Sequence, residues 1–199
     1  MHRRTLSLVA LMFALAALPL SASQFIDTPF DQMARESALI VRGDVVGTYS
    51  AWDDAHEVIY TYATVRVHRY FGEATGPDTL VVREVGGTVD GYTQEAIGFP
   101  AIRSGENVVL LLTQWDGSAD YRIHAYNKGK FLVRIRAGSE VLVNDPDTQG
   151  QERLTRQGGG IRSQAADDDT PGLGIEEFSR MVEDARAGRT AGGQKHQNQ

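Results

Sequence analysis

From Val58 to Phe71, apolar and polar side chains alternate almost without a break. Ile59, Ala63, Val65 and Val67 fall on one side; Tyr60, Tyr62, Thr64, Arg66, His68 and Tyr70 fall on the other. A helix of 3.6 residues per turn does not sort these residues into two faces, so the segment reads as a half-buried strand. One strand cannot bury its own apolar side, and the sequence around it supplies further strands. Leu39, Val41 and Val45 alternate with Arg42 and Asp44, and Gly43 among them marks a bulge or a sharp barrel bend. Val108–Leu112 is a continuous apolar run, short enough for a strand buried on both sides. Turn residues at Asp116-Gly117, Asn127-Lys128-Gly129 and Ala137-Gly138 separate the later strands.

This pattern places strands within 38–50, 57–71, 79–86, 106–114, 120–126, 130–136 and 140–144. A long, bent early strand followed by short ones predicts a mainly β chain. The expected form is a small oligonucleotide/oligosaccharide-binding (OB)-like β-barrel of about five to seven strands. Its core is expected from Leu39, Val41, Val45, Ile59, Ala63, Val65, Val67, Val81, Val109, Leu111, Ile123, Leu132 and Val133.

The flanks differ in kind. His2, Arg3 and Arg4 precede an apolar run from Leu6 to Leu18, and the small-residue stretch Pro19–Ser23 follows. That is the architecture of a secretory signal over 1–23, with a run too short for a stable membrane span. Residues 24–37 read as a lead-in with a short helix started at Thr28-Pro29. The barrel domain is expected over 38–144 and a flexible polar linker over 145–174. A short helix over 175–187 carries Ile175, Phe178, Met181, Val182 and Ala185 on one face, and 188–199 reads as a disordered tail.

The expected location is therefore outside the cytoplasm, extracellular or periplasmic. Loss of the leader removes Arg3 and Arg4 and no acid, which moves the formal charge from −6 to −8. An acidic chain argues against nucleic acid as ligand, since phosphates are bound through Lys and Arg. The chain contains no cysteine, which excludes disulfides, a thiol nucleophile and a thiolate metal site. No later stretch is long and apolar enough for a transmembrane helix.

Three segments carry a family resemblance. Ala38-Leu39-Ile40-Val41-Arg42-Gly43-Asp44-Val45-Val46 and Tyr62–Gly72 resemble early strands of netrin-like domains and of tissue inhibitors of metalloproteinases. Ser104-Gly105-Glu106 followed by Asn107–Leu112 is similar to their glycine-then-strand segment. The stretch 38–135 also resembles a group of uncharacterised exported bacterial proteins, some associated with matrixin-type metalloproteases. Those share a pattern like Gly86-Gly87, Gly98-Phe99-Pro100 and Gly105-Glu106. The resemblance implies an OB-type fold and an exported protease as partner. The metalloproteinase inhibitors hold the target zinc through an N-terminal cysteine, and a chain without cysteine lacks that chemistry.

Candidate chemistry is sparse. His56 and His68 have the same parity but stand about 40 Å apart on a straight strand, so they share no metal ion. Asp53-Asp54, Asp145-Pro146-Asp147 and Asp167-Asp168-Asp169 lie in polar connections without the spacing of a calcium loop. There is no Gly-x-Ser-x-Gly elbow, and Gln157-Gly158-Gly159-Gly160 lacks the Lys-Ser/Thr of a phosphate loop. No catalytic residue, metal or cofactor is assigned. The tentative binding residues are Tyr60, Tyr62, Arg66, His68 and Tyr70. Aromatics interleaved with cations on a barrel face suit a protein partner or a glycan. The leading expectation is a non-catalytic module that binds another exported protein. A glycan- or small-ligand-binding module comes second, and a hydrolase of unknown type third.

Overall fold

The computed structural model describes residues 28–96, 98–144 and 172–189. The expected leader (1–23), most of the expected linker (145–171) and nearly all of the expected tail (190–199) lie outside the described residues.

The chain is mainly β, with one helix at each end of the described fold. Helix α1 (Phe30–Glu36) starts after Pro29, as the Thr28-Pro29 signal predicts. The strands β1 (Leu39–Trp52), β2 (Ile59–Tyr70) and β3 (Thr79–Val85) form a meander. A small hairpin follows, β4 (Gly87–Val89) with β5 (Tyr92–Gln94). Then come β6 (Asn107–Gln114), β7 (Tyr121–Ile123), a 3-10 turn (Tyr126–Gly129), β8 (Lys130–Arg136) and β9 (Ser139–Asn144). The two-residue β10 (Leu173–Gly174) pairs with β9 and leads into helix α2 (Ile175–Arg186). Leu173 and Gly174, assigned to the linker from sequence, are thus sheet residues.

The barrel closes in the order β1-β2-β3-β7-β6 and back to β1, a five-stranded OB-like ring as expected. Every pairing is antiparallel except β3 with β7, which run parallel through the single pair Val82↔Tyr121. β8 and β9 extend the sheet from β6 beyond the ring.

β6 explains the two layers. Val108, Leu110 and Leu112 join Val41, Val45, Ala63, Val65, Leu80 and Val82 in the barrel interior. Val109 and Leu111 point the other way, into a second cluster with Ile40, Phe71, Met33, Phe178 and Val182. The continuous apolar run is therefore buried on both faces along its whole length, and helices α1 and α2 cover its outer side. Phe178 is fully buried and meets Phe30, Phe71 and Phe131 edge-on at 5.5, 5.0 and 5.8 Å.

Two expectations about the core need correction. In β3 the interior residues are Leu80, Val82 and Glu84, while Val81 is only half-buried on the outside. The run Leu80-Val81-Val82 is apolar on both parities, so alternation does not set its phase. Leu39 and Val67 are partly buried at the margin of the interior cluster. The β4–β5 hairpin was not anticipated. Its signal is Asp90-Gly91, both at positive φ (50° and 82°), the turn type that joins two-residue hairpins.

A candidate binding face

Two bulges decide what β2 presents. The β1–β2 register runs Arg42↔Arg69 and then Gly43↔Val67, so β2 carries one extra residue at His68. It runs Val45↔Val65 and then Gly47↔Thr64, so β1 carries one extra at Val46. Gly43 permits the first bulge: a Cβ there would collide with the Arg66 carbonyl and approach Val65 Cγ1 to 2.8 Å.

Between the bulges and beyond them, the outer side of the β1–β2–β3 sheet is built in rows. Asp44–Arg66–Thr79, Gly47–Thr64–Val81, Tyr49–Tyr62–Arg83 and Ala51–Tyr60–Val85 stand side by side. The Tyr49 and Tyr62 rings stack at 4.9 Å with planes 8° apart. Trp115, from the β6–β7 connection, closes the end of the face. Its Nε1–H donates to the Arg83 carbonyl at 2.9 Å, and its ring meets Tyr60 edge-on at 5.9 Å. The Arg83 guanidinium lies over both rings, 5.0 Å from Tyr60 and 4.6 Å from Trp115, and Arg122 lies 4.9 Å from Trp115. Arg83 also faces Asp120 at 4.0 Å, and its Nε is buried without a hydrogen-bond partner among the described residues. The rings of Tyr60 and Trp115 are its neighbours instead.

The structure separates the five residues singled out from sequence. Tyr60 and Tyr62 belong to the aromatic rows. Arg66 and His68 stand at the other end of the face, with Asp44. His68 Nε2 lies 2.7 Å from Asp44 Oδ2, and Asn107 Nδ2 donates to Asp44 Oδ1 at 2.8 Å. These bonds, His68 first, hold the Asp44 carboxyl below its ordinary range. The Arg66 side chain is exposed, and its charge helps to lower the Asp44 pKa. Tyr70 is not on this face. The extra residue at His68 reverses the parity of β2, so Tyr70 packs against the interior cluster and its hydroxyl donates to the Pro77 carbonyl at 2.7 Å. Burial pushes that hydroxyl's pKa up. The placement of Tyr70 beside Tyr60 and Tyr62, read from alternation, is corrected on this point.

Tyr49, Arg83, Trp115 and Arg122 were missed from sequence. Tyr49 sits past the Val46 bulge, and the other three come from strands and a connection far away along the chain. The other two described histidines are dispersed. His56 lies in the β1–β2 turn, its ring 6.0 Å from Trp52, and His124 Nε2 lies 3.5 Å from Glu36 Oε2. Among the described residues no cluster of His, Asp and Glu could hold a metal ion, and no helix is long and apolar enough to cross a membrane. Comparison of the chain with known proteins finds no matching family model, curated protein or solved structure.

Proposed function

We propose that the protein is an exported, non-catalytic binding module that docks another exported protein on the outer β1–β2–β3 face. The observation that carries this reading is the Arg83 side chain held between Tyr60 and Trp115. Tyr, Trp and Arg are the residues on which protein interfaces concentrate their binding energy. Here they are ordered before any partner arrives, which lowers the entropy cost of association. One face or more of Tyr60, Trp115 and Tyr62 is already engaged, by Arg83, by Arg122 and by the stack on Tyr49, whose own outer face stays open. That favours a protein contacting edges and hydroxyls over a sugar, which needs an open ring face.

The glycan reading is favoured by one residue, Tyr49, 61% exposed beside Tyr62, and by the use of this barrel side for oligosaccharides in OB folds. The resemblance to netrin-like domains supports a secreted protease as the first partner to test, and the leader-like residues 1–23 support export. The deciding experiment is affinity capture of exported proteins on the immobilised chain, with Tyr62→Ala and Trp115→Ala alongside a glycan array. A specific protein retained by the wild type and lost by both variants supports the reading. No specific partner, or one held equally by the variants, overturns it; a glycan hit lost in Tyr62→Ala moves the assignment to the second reading.

A further inference from the structure

β1 has neighbours on both sides only along its first half. Its ladder to β6 covers Leu39–Asp44, and Val45 still exchanges main-chain bonds with Glu106 and Gly105 at 2.9 and 2.8 Å. From Val46 to Trp52 the strand pairs with β2 alone among the described residues. The β4–β5 hairpin lies against a face of this segment, with Gly87 over the Ser50 and Thr61 hydroxyls. The main-chain groups that point away from β2 follow from alternation. Asp53 N–H donates to the Val58 carbonyl at 2.8 Å, so residues 51, 49 and 47 also direct theirs at β2. Thr48, Ser50 and Trp52 direct theirs outward.

Free edges in folded proteins are normally guarded by lysines, prolines or inward charges. Val46-Gly47-Thr48-Tyr49-Ser50-Ala51-Trp52 contains no charge and no proline, in a chain whose formal charge is −6. The segment is also matched about its centre: Thr48 and Ser50 flank Tyr49, and Gly47 and Ala51 flank those.

We propose that this edge pairs antiparallel with the same edge of a second copy, the two-fold axis passing at Tyr49. In that register Thr48 faces the partner's Ser50 in hydrogen-bonded pairs, giving about four main-chain bonds. Gly47 faces the partner's Ala51, small against small. Tyr49 faces the partner's Tyr49 as a non-hydrogen-bonded pair, where side chains approach most closely. One face of the Tyr49 ring already stacks on Tyr62 at 4.9 Å, and its exposure leaves room for a second ring at the ~4.8 Å strand spacing. The result is one continuous row of tyrosines across both copies, and no charge is buried. Self-matching is what selects a second copy over an unrelated strand. The inference does not depend on the docking of another protein, because it is read in the protein alone. The interface is smaller than a standard one, so the dimer is concentration-dependent.

Sedimentation of the purified protein from micromolar to millimolar concentration tests this. The expected result is a monomer–dimer equilibrium that Thr48→Pro weakens by about tenfold or more, since it removes an outward N–H in each copy. Thr48→Pro leaves the bonds to β2 in place, and an unchanged melting curve verifies that it folds. In this cysteine-free chain, Tyr49→Cys should oxidise to a disulfide-linked dimer, because facing Cβ atoms at a non-hydrogen-bonded pair lie near disulfide range. Ile135→Cys, 77% exposed on β8, which pairs with β6 and β9 and not with this edge, should not. A monomer throughout, a dimer indifferent to Thr48→Pro, or equal cross-linking at both cysteines overturns the proposal.

Discussion

The Glu84 carboxyl accepts the Ile123 backbone N–H at 2.5 Å inside the barrel wall. It does so where the parallel β3–β7 ladder consists of a single residue pair, so a side chain completes the seam that the main chain leaves short. Trp115 reinforces the seam from outside through its bond to the Arg83 carbonyl. Closure of the barrel and assembly of the outer aromatic face are thus one structural event.

Glu84 makes stability depend on pH. Burial raises its pKa from 4.5 to about 8, although the Ile123 N–H pulls the other way. The folded state therefore keeps a proton that the unfolded chain releases. Stability from this group is full below about pH 4.5, falls as pH rises, and levels off above pH 8. The difference is on the order of 5 kcal/mol. His124, held below its ordinary pKa mainly by burial, works with the opposite sign: its contribution is present above about pH 6.5 and is lost as pH falls below it. Comparison with Glu84→Gln isolates the acid: urea melts from pH 4 to 9 should show the variant gaining on the wild type as pH rises. A constant difference between the two would refute the assignment.

Two glycines of β1 should behave oppositely. Gly43→Ala places a methyl group against the Arg66 carbonyl and Val65, and should cost about 1–3 kcal/mol. Gly47→Ala meets nothing within 4 Å and has no positive φ, so it should be neutral or stabilising by about 0.5–1 kcal/mol. Thermal denaturation of both variants checks the sign of each change.

Phe178→Ala should be among the most destabilising single changes, about 3–5 kcal/mol, because its ring fills the space between Phe30, Phe71 and Phe131. Val65→Ala, in the barrel interior, should cost about 1–3 kcal/mol. Deletion of α2 uncovers Val109, Leu111 and Val133 together and should lower stability by more than Phe178→Ala alone. Chemical denaturation of the three proteins ranks them; an α2 deletion as stable as the wild type would show that the helix contributes nothing to this core.

Lys130 is fully buried, its Nζ 2.8 Å from Glu106 and bonded to the Ala101 carbonyl. It fastens the segment before β6 onto β8. Lys130→Met leaves the Glu106 carboxylate without its buried cation and should cost about 3 kcal/mol. Adding Glu106→Gln should recover part of that loss. A double-mutant cycle measured by melting gives the coupling, and a value near zero would mean that the pair holds nothing.

Much of this was readable along the chain. The alternation of β2 placed Ala63 and Val65 inside and Tyr60 and Tyr62 outside, because side-chain direction in a strand is a local property. The unbroken apolarity of Val108–Leu112 announced burial on both faces, and the stripe through Phe178 and Val182 announced a docking helix. Those patterns are written in the order of residues alone, but only the structure shows that the stripe of α2 docks on the barrel and does not wait for a partner. Local order failed where one residue was added or where two parities were equally apolar. The bulge at His68 turned Tyr70 inward, and Leu80-Val81-Val82 offered no phase. A bulge changes direction without changing composition, so only the pairing with Gly43 and its neighbours sets it. The binding face lay further out of reach. Arg83 meets Tyr60 and Trp115, residues from β2 and from the β6–β7 connection, only because the barrel closes through β3 and β7. The sequence alone determined where the long strands lie and, where alternation is clean, which of their sides are apolar. The tertiary structure decided which rings and cations became neighbours, since closure joins elements whose separation along the chain says nothing about their distance in space.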